Sequence, residues 1–532
     1  MKAGTMNVLR ATAAIALFLS PGALVAAAPK KQATLPAWTR VPDAVTQQSI
    51  LLDGKRLAYT ARAGTIVVRG AERKPLATMF YTAYTRNGEN PSHRAITFLY
   101  NGGPGSSTIW LRMGSWGPIR AAIAANGGIT PPPPYHLVSN PYSLLDTTDL
   151  VFVDMPASGY GRIWPGANAK KVFGSDNDVK MFAQFIERYL TKFNRWNSPR
   201  FLYGESYGTP RTAMLVNYLQ NHAVSIDGIV LQSSILNYNL AATDIYGGAD
   251  TDDWQYVFDF ATEAATAWYY HAVPGANPNL NAYMQQVKHF AMGPYREALN
   301  QGANLSPSAY ASMVGEISHY LAIPASYIRH SNLRIPAQRY IAEFRRSQGK
   351  TEGIYDSRYQ LYTLDRAEMQ PSLEASDASI DSAFYSLSNV YLRDDLHYIT
   401  PLRYRMGAYS TIAKSGPWNF MHDGWLPLNT APDLAQAMTY NPHLRVFSAN
   451  GYFDSVTPWL ATVYTLEHLQ LAPALQRHIT YGFYPSGHMI YLNVTALGDF
   501  HAQLERWYRG ILARHRYPAG VTATAHALKA GS

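Results

Sequence analysis

Two hydrophobic rhythms divide this chain. Leu57–Val68 (LAYTARAGTIVV) and Ala77–Tyr84 (ATMFYTAY) alternate apolar and polar positions and are rich in β-branched and aromatic residues. They predict antiparallel strands with one face buried. From Ala95 the texture changes to short, almost wholly apolar runs closed by Gly or Pro turns: AITFLY at 95–100, LVFVD at 150–154, then Arg200–Tyr203, Gly228–Leu231 and Leu444–Ser448. Such runs suit strands buried on both faces of a mainly parallel sheet. Between them Val179, Phe182, Phe185, Ile186, Tyr189, Leu190 and Phe193 recur at helical spacing behind Asp176 and Asp178. That pattern predicts an amphipathic helix with acids at its start.

Strand and helix in alternation argue for an α/β fold, with a mostly parallel central sheet flanked by helices. The rhythm stops at residues 236–441, where Tyr- and Trp-rich helical patterns such as Asp252–Ala272 predict a large, mainly helical lid insertion. It resumes at Leu444 and ends on a helix marked by Leu497, Phe500, Leu504 and Trp507. The expected organisation is therefore a first part of the core at 29–235, the insertion at 236–441, a second part at 442–515 and a frayed tail at 516–532. Residues 29–55 read as an extended, poorly structured lead-in.

The stretch LYGESYGTPR at 202–211 places Ser206 between two glycines, after an apolar strand and before a helical run that Pro210 opens. G-x-S-x-G alone recurs by accident, but strand, sharp turn and helix around it form the setting of a nucleophile elbow. A serine hydroxyl needs a base and an acid to orient that base. Asp454 in NGYFD and His488 in YPSGH follow later strands, in the order and position where loops at strand carboxyl ends converge. NGGPG at 101–105, directly after a strand, is placed to give a backbone donor to an oxyanion, the second donor coming from the residue after Ser206.

Composition narrows the rest. Across 532 residues the chain is 47% hydrophobic and 15% charged, which fits a packed core. A net charge of +9 without a dense basic stripe disfavours nucleic-acid binding. Lys2, Arg10, the apolar run Ala11–Leu19 and Ala26-Ala27-Ala28 form the pattern of a signal peptide over 1–28, with export to the periplasm or medium as its consequence. No later stretch reads as a transmembrane helix. The absence of cysteine rules out disulfides, a thiol nucleophile and thiolate metal sites. No H-e-x-x-H zinc motif occurs, and Asp250, Asp252 and Asp253 lack the rest of a calcium loop, so they are expected to begin a helix; no metal or other cofactor is implied.

NGGPGSS at 101–107, GESYG at 204–208, GYFDSVTP at 451–458 and SGHM at 486–489 together resemble the serine carboxypeptidases, α/β-hydrolase-fold peptidases that remove C-terminal residues. GKTEGIYDSR at 349–358 resembles a stretch of the bacterial branch. The resemblance implies Ser206 as nucleophile, His488 as base and Asp454 as orienting acid. It implies Gly103 and Tyr207 as oxyanion donors, and Glu205, Asn101 and Gly102 as the site for the substrate's terminal carboxylate. Two carboxylates repel, so Glu205 would have to be protonated, which favours acidic pH.

The sequence also departs from the family. Ser115 stands where a second acid is usual, Ser106 replaces a cysteine, and His488 is followed by Met-Ile-Tyr without proline. Arg112, Arg162 or Arg211 could supplement the carboxylate site, although a surface position is the ordinary expectation for each. The implied substrate is a peptide or protein C-terminus. An esterase or acyltransferase on the same triad stays open, as does a secreted, non-catalytic binding protein.

Overall fold

The computed structural model describes residues 35–91, 93–241 and 253–515. The expected leader and tail lie outside these residues, as do Asp250 and Asp252. The main sheet is built from β1 (Ala44–Leu52), β2 (Lys55–Arg69), β3 (Pro75–Arg86), β4 (Ile96–Tyr100), β5 (Asp149–Val153), β6 (Arg200–Glu205), β7 (Gly228–Gln232), β8 (Arg445–Gly451) and β9 (Ile479–Tyr484). Their spatial order is β1-β2-β3-β5-β4-β6-β7-β8-β9, with the short strand Arg162–Ile163 added beside β3. The pairs from β1 to β5 along this path are antiparallel. All those from β5 to β9 are parallel.

The two rhythms of the sequence map onto these two halves. Every residue of β4, β5 and β7 is buried, because helices cover both faces there. After the short α1 (Ile109–Gly114), α2 (Ser175–Lys192) and α3 (Gly208–Asn221) lie on one face, with Phe182, Ile186, Leu215 and Leu219 packed against Leu202, Ile229 and Val446. On the other face Trp116, Phe500 and Leu504 meet Leu99, Tyr203, Val230 and Phe447. Ile229 and Val230 thus point to opposite cores, as the two-residue period of a strand requires.

The lead-in expectation fails for residues 44–52, which form edge strand β1. Its sequence, AVTQQSILL, buries only its last positions, so it carries little apolar signal. The Asp53-Gly54 turn, with positive φ at both residues, closes a tight hairpin onto β2. That dipeptide was the available clue.

The described residues between β7 and β8 are mainly helical and include α4 (Trp254–Tyr269), α5 (Ala375–Val390) and α6 (Ala431–Tyr440). Phe258 and Phe260 of α4 share a third core with Tyr452, Phe453 and Trp459, just after β8. Leu434 and Met438 of α6 instead join the core beside α3. The helix expected from Asp252 begins at Trp254, and Asp253 makes a bidentate ion pair with Arg334 (2.6 and 2.7 Å).

Candidate active site

Parallel pairing lines up the carboxyl ends of β4, β6, β7 and β8. Tyr100 pairs with Gly204, Glu205 with Gln232, and Gln232 with Ala449. The next residues along these strands, Asn101, Ser206 and the loop holding Asp454, therefore emerge along one edge.

Ser206 sits on the turn between β6 and α3 with φ of +61°, a conformation L-residues rarely adopt. Its N–H donates to the Gln232 carbonyl (3.1 Å), and its own carbonyl accepts from the N–H of Thr209 (2.8 Å). A side chain at Gly204 would stand 2.1 Å from the Gly208 carbonyl, so the turn closes only around glycine. Gly102 has a similar constraint: a Cβ there would lie 2.3 Å from the Tyr207 nitrogen. The 101–105 loop is thus pressed onto the elbow at Gly102, the residue before Gly103. Neither amide donates to a backbone acceptor among the described residues.

Asp454 is fully buried, and its carboxylate is completely engaged. Oδ1 accepts from the N–H groups of Val456 and Thr457 (3.0 Å each), and Oδ2 from the Thr457 hydroxyl (2.6 Å). His488 Nδ1 lies 2.9 Å from Oδ2, which leaves Nε2 as the ring nitrogen that Asp454 does not engage. Burial works against a charged imidazole at His488, but Asp454, Glu205 and Asp377 outweigh it and hold its pKa above the ordinary histidine value.

Glu205 is 3% exposed. Burial raises its pKa to about 7, against the lowering effects of His488, Tyr491 and Asn101. All its hydrogen-bond partners are donors. Asn101 Nδ2 and the Tyr491 hydroxyl donate to Oε1, the latter at 3.2 Å, while Gln232 Nε2 donates to Oε2 at 2.9 Å. Of these partners only the Tyr491 hydroxyl can reverse to accept a proton from Glu205; the two amides cannot. Asn101 is itself fixed by the N–H of Leu111 on its side-chain oxygen (3.1 Å).

The arginines lie elsewhere than expected. Arg211 is fully buried, with Nε 2.6 Å from Asp178 and Nη1 donating to the Asn101 carbonyl (2.8 Å). It braces the loop from behind. Arg112 is buried against Ser388 (2.6 Å), and buried Arg162 donates to the carbonyls of Gly159, Gly161 and Arg403. None is a surface residue, and none makes a hydrogen bond or ion pair with Glu205 among the described residues. The Ser115 hydroxyl donates to the Leu111 carbonyl (2.6 Å), so the hydroxyl on Glu205 is that of Tyr491.

Sequence reasoning missed a brace supplied by the insertion. Arg358 grips Asp356 through two hydrogen bonds (2.9 and 2.6 Å) and donates to the Pro485 carbonyl (3.0 Å) and Ser486 Oγ (3.1 Å). Asp356 accepts the Gly487 N–H (3.1 Å), and the Tyr355 carbonyl accepts the His488 N–H (2.7 Å). The same segment bonds the Asp454 loop through Ser357 N–H to the Phe453 carbonyl and Ser455 N–H to the Ile354 carbonyl. GIYDSR therefore ties the histidine loop to the aspartate loop.

A profile described as serine carboxypeptidase matches residues 60–482, most of the chain. The chain belongs to the serine carboxypeptidase family. Among curated relatives, serine carboxypeptidase-like 45 of Arabidopsis thaliana is 26% identical over 207 residues, 37% of this chain and 40% of that protein. Serine carboxypeptidase-like 10 of the same plant is 24% identical over 191 residues, 34% of this chain and 41% of that protein. The matched segments thus span about two fifths of those relatives. Kex1(delta)p, a prohormone-processing carboxypeptidase from Saccharomyces cerevisiae, superposes with a TM-score of 0.51 at 16% identity, covering 85% of this chain and 91% of that one. The α/β-hydrolase fold expected from the sequence is the fold observed. Among the described residues no helix is long and apolar enough to cross a membrane.

Proposed function

We propose that this member of the serine carboxypeptidase family is an exported enzyme that releases C-terminal amino acids from peptides through an acyl-enzyme. The observation that carries the reading is Glu205: a buried carboxyl beside the elbow serine, surrounded by hydrogen-bond donors, with a pKa of about 7. Below that pH it is neutral, and its proton is free to bond an incoming carboxylate. Asn101 and Gly102 flank the same position. The leader pattern at 1–28 supports export.

In this mechanism Ser206 Oγ attacks the carbonyl carbon of the last peptide bond while its proton passes to His488 Nε2. The carbonyl oxygen takes the electron pair and rests against the amides of Gly103 and Tyr207. As the C–N bond breaks, His488 returns the proton to the departing amine, and the terminal amino acid leaves. Water then gives a proton to His488 and attacks the Ser206 ester. Collapse of that intermediate frees the shortened peptide and restores the serine hydroxyl. Asp454 keeps the imidazole oriented throughout. Acidic pH favours the grip at Glu205, while the base requires neutral His488, so the two groups oppose each other in pH.

Matched peptides with free and amidated C-termini test the reading across pH. Sequential release from the free peptide alone, lost in Ser206→Ala, is expected. Equal turnover of both, or turnover of simple esters without residue release, would replace it with an esterase or acyltransferase assignment.

A further inference from the structure

Gln232 ends β7 between the strand that carries Ser206 and the strand that leads to Asp454, and it is fully buried. Its main-chain carbonyl accepts the Ser206 N–H (3.1 Å). Its side-chain amide forks: Nε2 donates to Glu205 Oε2 (2.9 Å) and to the His488 carbonyl (3.0 Å), and Oε1 accepts the Tyr203 hydroxyl. All of this amide's donor capacity goes to those two acceptors. Among the described residues no other side chain is hydrogen-bonded to both Glu205 and His488.

We propose that Gln232 is a positioning residue that couples the grip on the substrate's terminal carboxylate to the placement of the base, so that a free C-terminus raises turnover as well as affinity. The proposal rests on the carboxypeptidase reading of the site. Its physical basis is a planar amide with two N–H bonds at a fixed angle, so the two acceptors compete for its orientation. An ionised Glu205 draws a charge-assisted hydrogen bond and holds the amide toward itself. A neutral Glu205 engaged by a substrate carboxylate is a weaker acceptor and releases the fork toward the His488 carbonyl. The Ser233 hydroxyl also donates to that carbonyl (2.7 Å), so the histidine loop keeps one anchor when Gln232 is changed.

The experiment compares wild type, Gln232→Met and Gln232→Glu on a peptide with a free C-terminus, its amidated twin and an ester without a carboxylate, with kcat and KM resolved across pH. Labelling of Ser206 by a fluorophosphonate reports a folded site in each variant. Gln232→Met removes the fork, and kcat on the free peptide should fall about tenfold, the worth of one hydrogen bond, with a smaller loss on the ester. Gln232→Glu is isosteric but must carry a proton to donate. Its activity on the free peptide should survive only at acid pH, with the alkaline limb moved at least about one unit lower than in wild type.

Equal losses on the free peptide and the ester with an unchanged pH profile would reduce Gln232 to a filler of buried hydrogen-bond positions and overturn the coupling. So would a wild-type preference confined to KM. A wild-type protein with no preference for the free C-terminus would overturn the carboxypeptidase reading itself, and the coupling with it.

Discussion

Replacing Glu205 by glutamine isolates the proton that the carboxylate site is argued to use. In wild type, burial holds the Glu205 pKa at about 7, so the neutral, binding-competent form dominates at pH 6 and is the minor form at pH 8. If only neutral Glu205 accepts a substrate carboxylate, KM for a free C-terminus should rise about tenfold between those two pH values, one pKa unit's worth of binding. Glutamine keeps the shape and offers a permanent N–H donor, so KM of Glu205→Gln should be flat over the same range. The substitution has a structural cost. Asn101, Gln232 and Tyr491 all donate toward Glu205, and a glutamine NH2 must face at least one of them. About 1–3 kcal/mol of stability should be lost.

A second signature appears at the base. Glu205 is one of the groups that raise the His488 pKa in the substrate-free enzyme, so removing its charge should move the acid limb of kcat/KM, which reports that state, to lower pH. The assay is steady-state release of the terminal residue from one peptide at saturating and limiting concentrations across pH. A Glu205→Gln enzyme whose KM keeps the wild-type rise between pH 6 and 8 would refute the reasoning, because the titrating group would lie elsewhere.

Other consequences of the geometry are as direct. Asp454→Asn should leave the fold intact but lower kcat by about 10³–10⁴-fold, since the amide cannot hold the Nδ1–H tautomer; steady-state kinetics beside thermal unfolding check this. Arg358→Gln leaves Asp356 buried and unpaired, and should cost about 3–5 kcal/mol in denaturant unfolding as well as lowering kcat through the histidine loop. Glu352 is fully buried, its carboxylate oxygens outside any side-chain hydrogen bond and 3.9 Å from the Arg345 guanidinium, and burial, opposed by Arg345, raises its pKa from 4.5 to about 8. The folded state therefore holds that proton more tightly than the unfolded chain, so its contribution is complete below pH 4.5 and is lost as pH rises through 8, on the order of 5 kcal/mol in all. Unfolding midpoints of Glu352→Gln should depend less on pH across that window than those of wild type.

The sequence was most informative where one element determines its own environment. β4, β5 and β7 are buried on both faces, so their composition alone announces a covered sheet. Ser206, Asp454 and His488 stand at strand ends in motifs whose local turns are set by nearby residues, and their order along the chain was readable for the same reason. β1 was hidden because its burial depends on a partner strand and its own apolar signal is weak. The arginines were misplaced for a related reason. A guanidinium is buried only when distant groups receive it, and Arg211 needs Asp178 while Arg162 needs the carbonyl of Arg403.

The residues that complete the site are hidden in the same way. Gln232 reads as the polar end of an apolar run, yet its side chain meets a histidine 256 residues later. Arg358 reads as part of an insertion, yet it donates to a loop 127 residues away. Chemistry carried at a strand tip leaves a local mark in the sequence. The hydrogen bonds that hold that chemistry in place are drawn from wherever the fold brings the chain back, and a buried polar atom without such a partner would cost more than the contact supplies. The amide of Gln232 is therefore determined by the assembled cleft and not by its sequence neighbours, and this is why perturbing it should disturb the pH profile before it disturbs the fold.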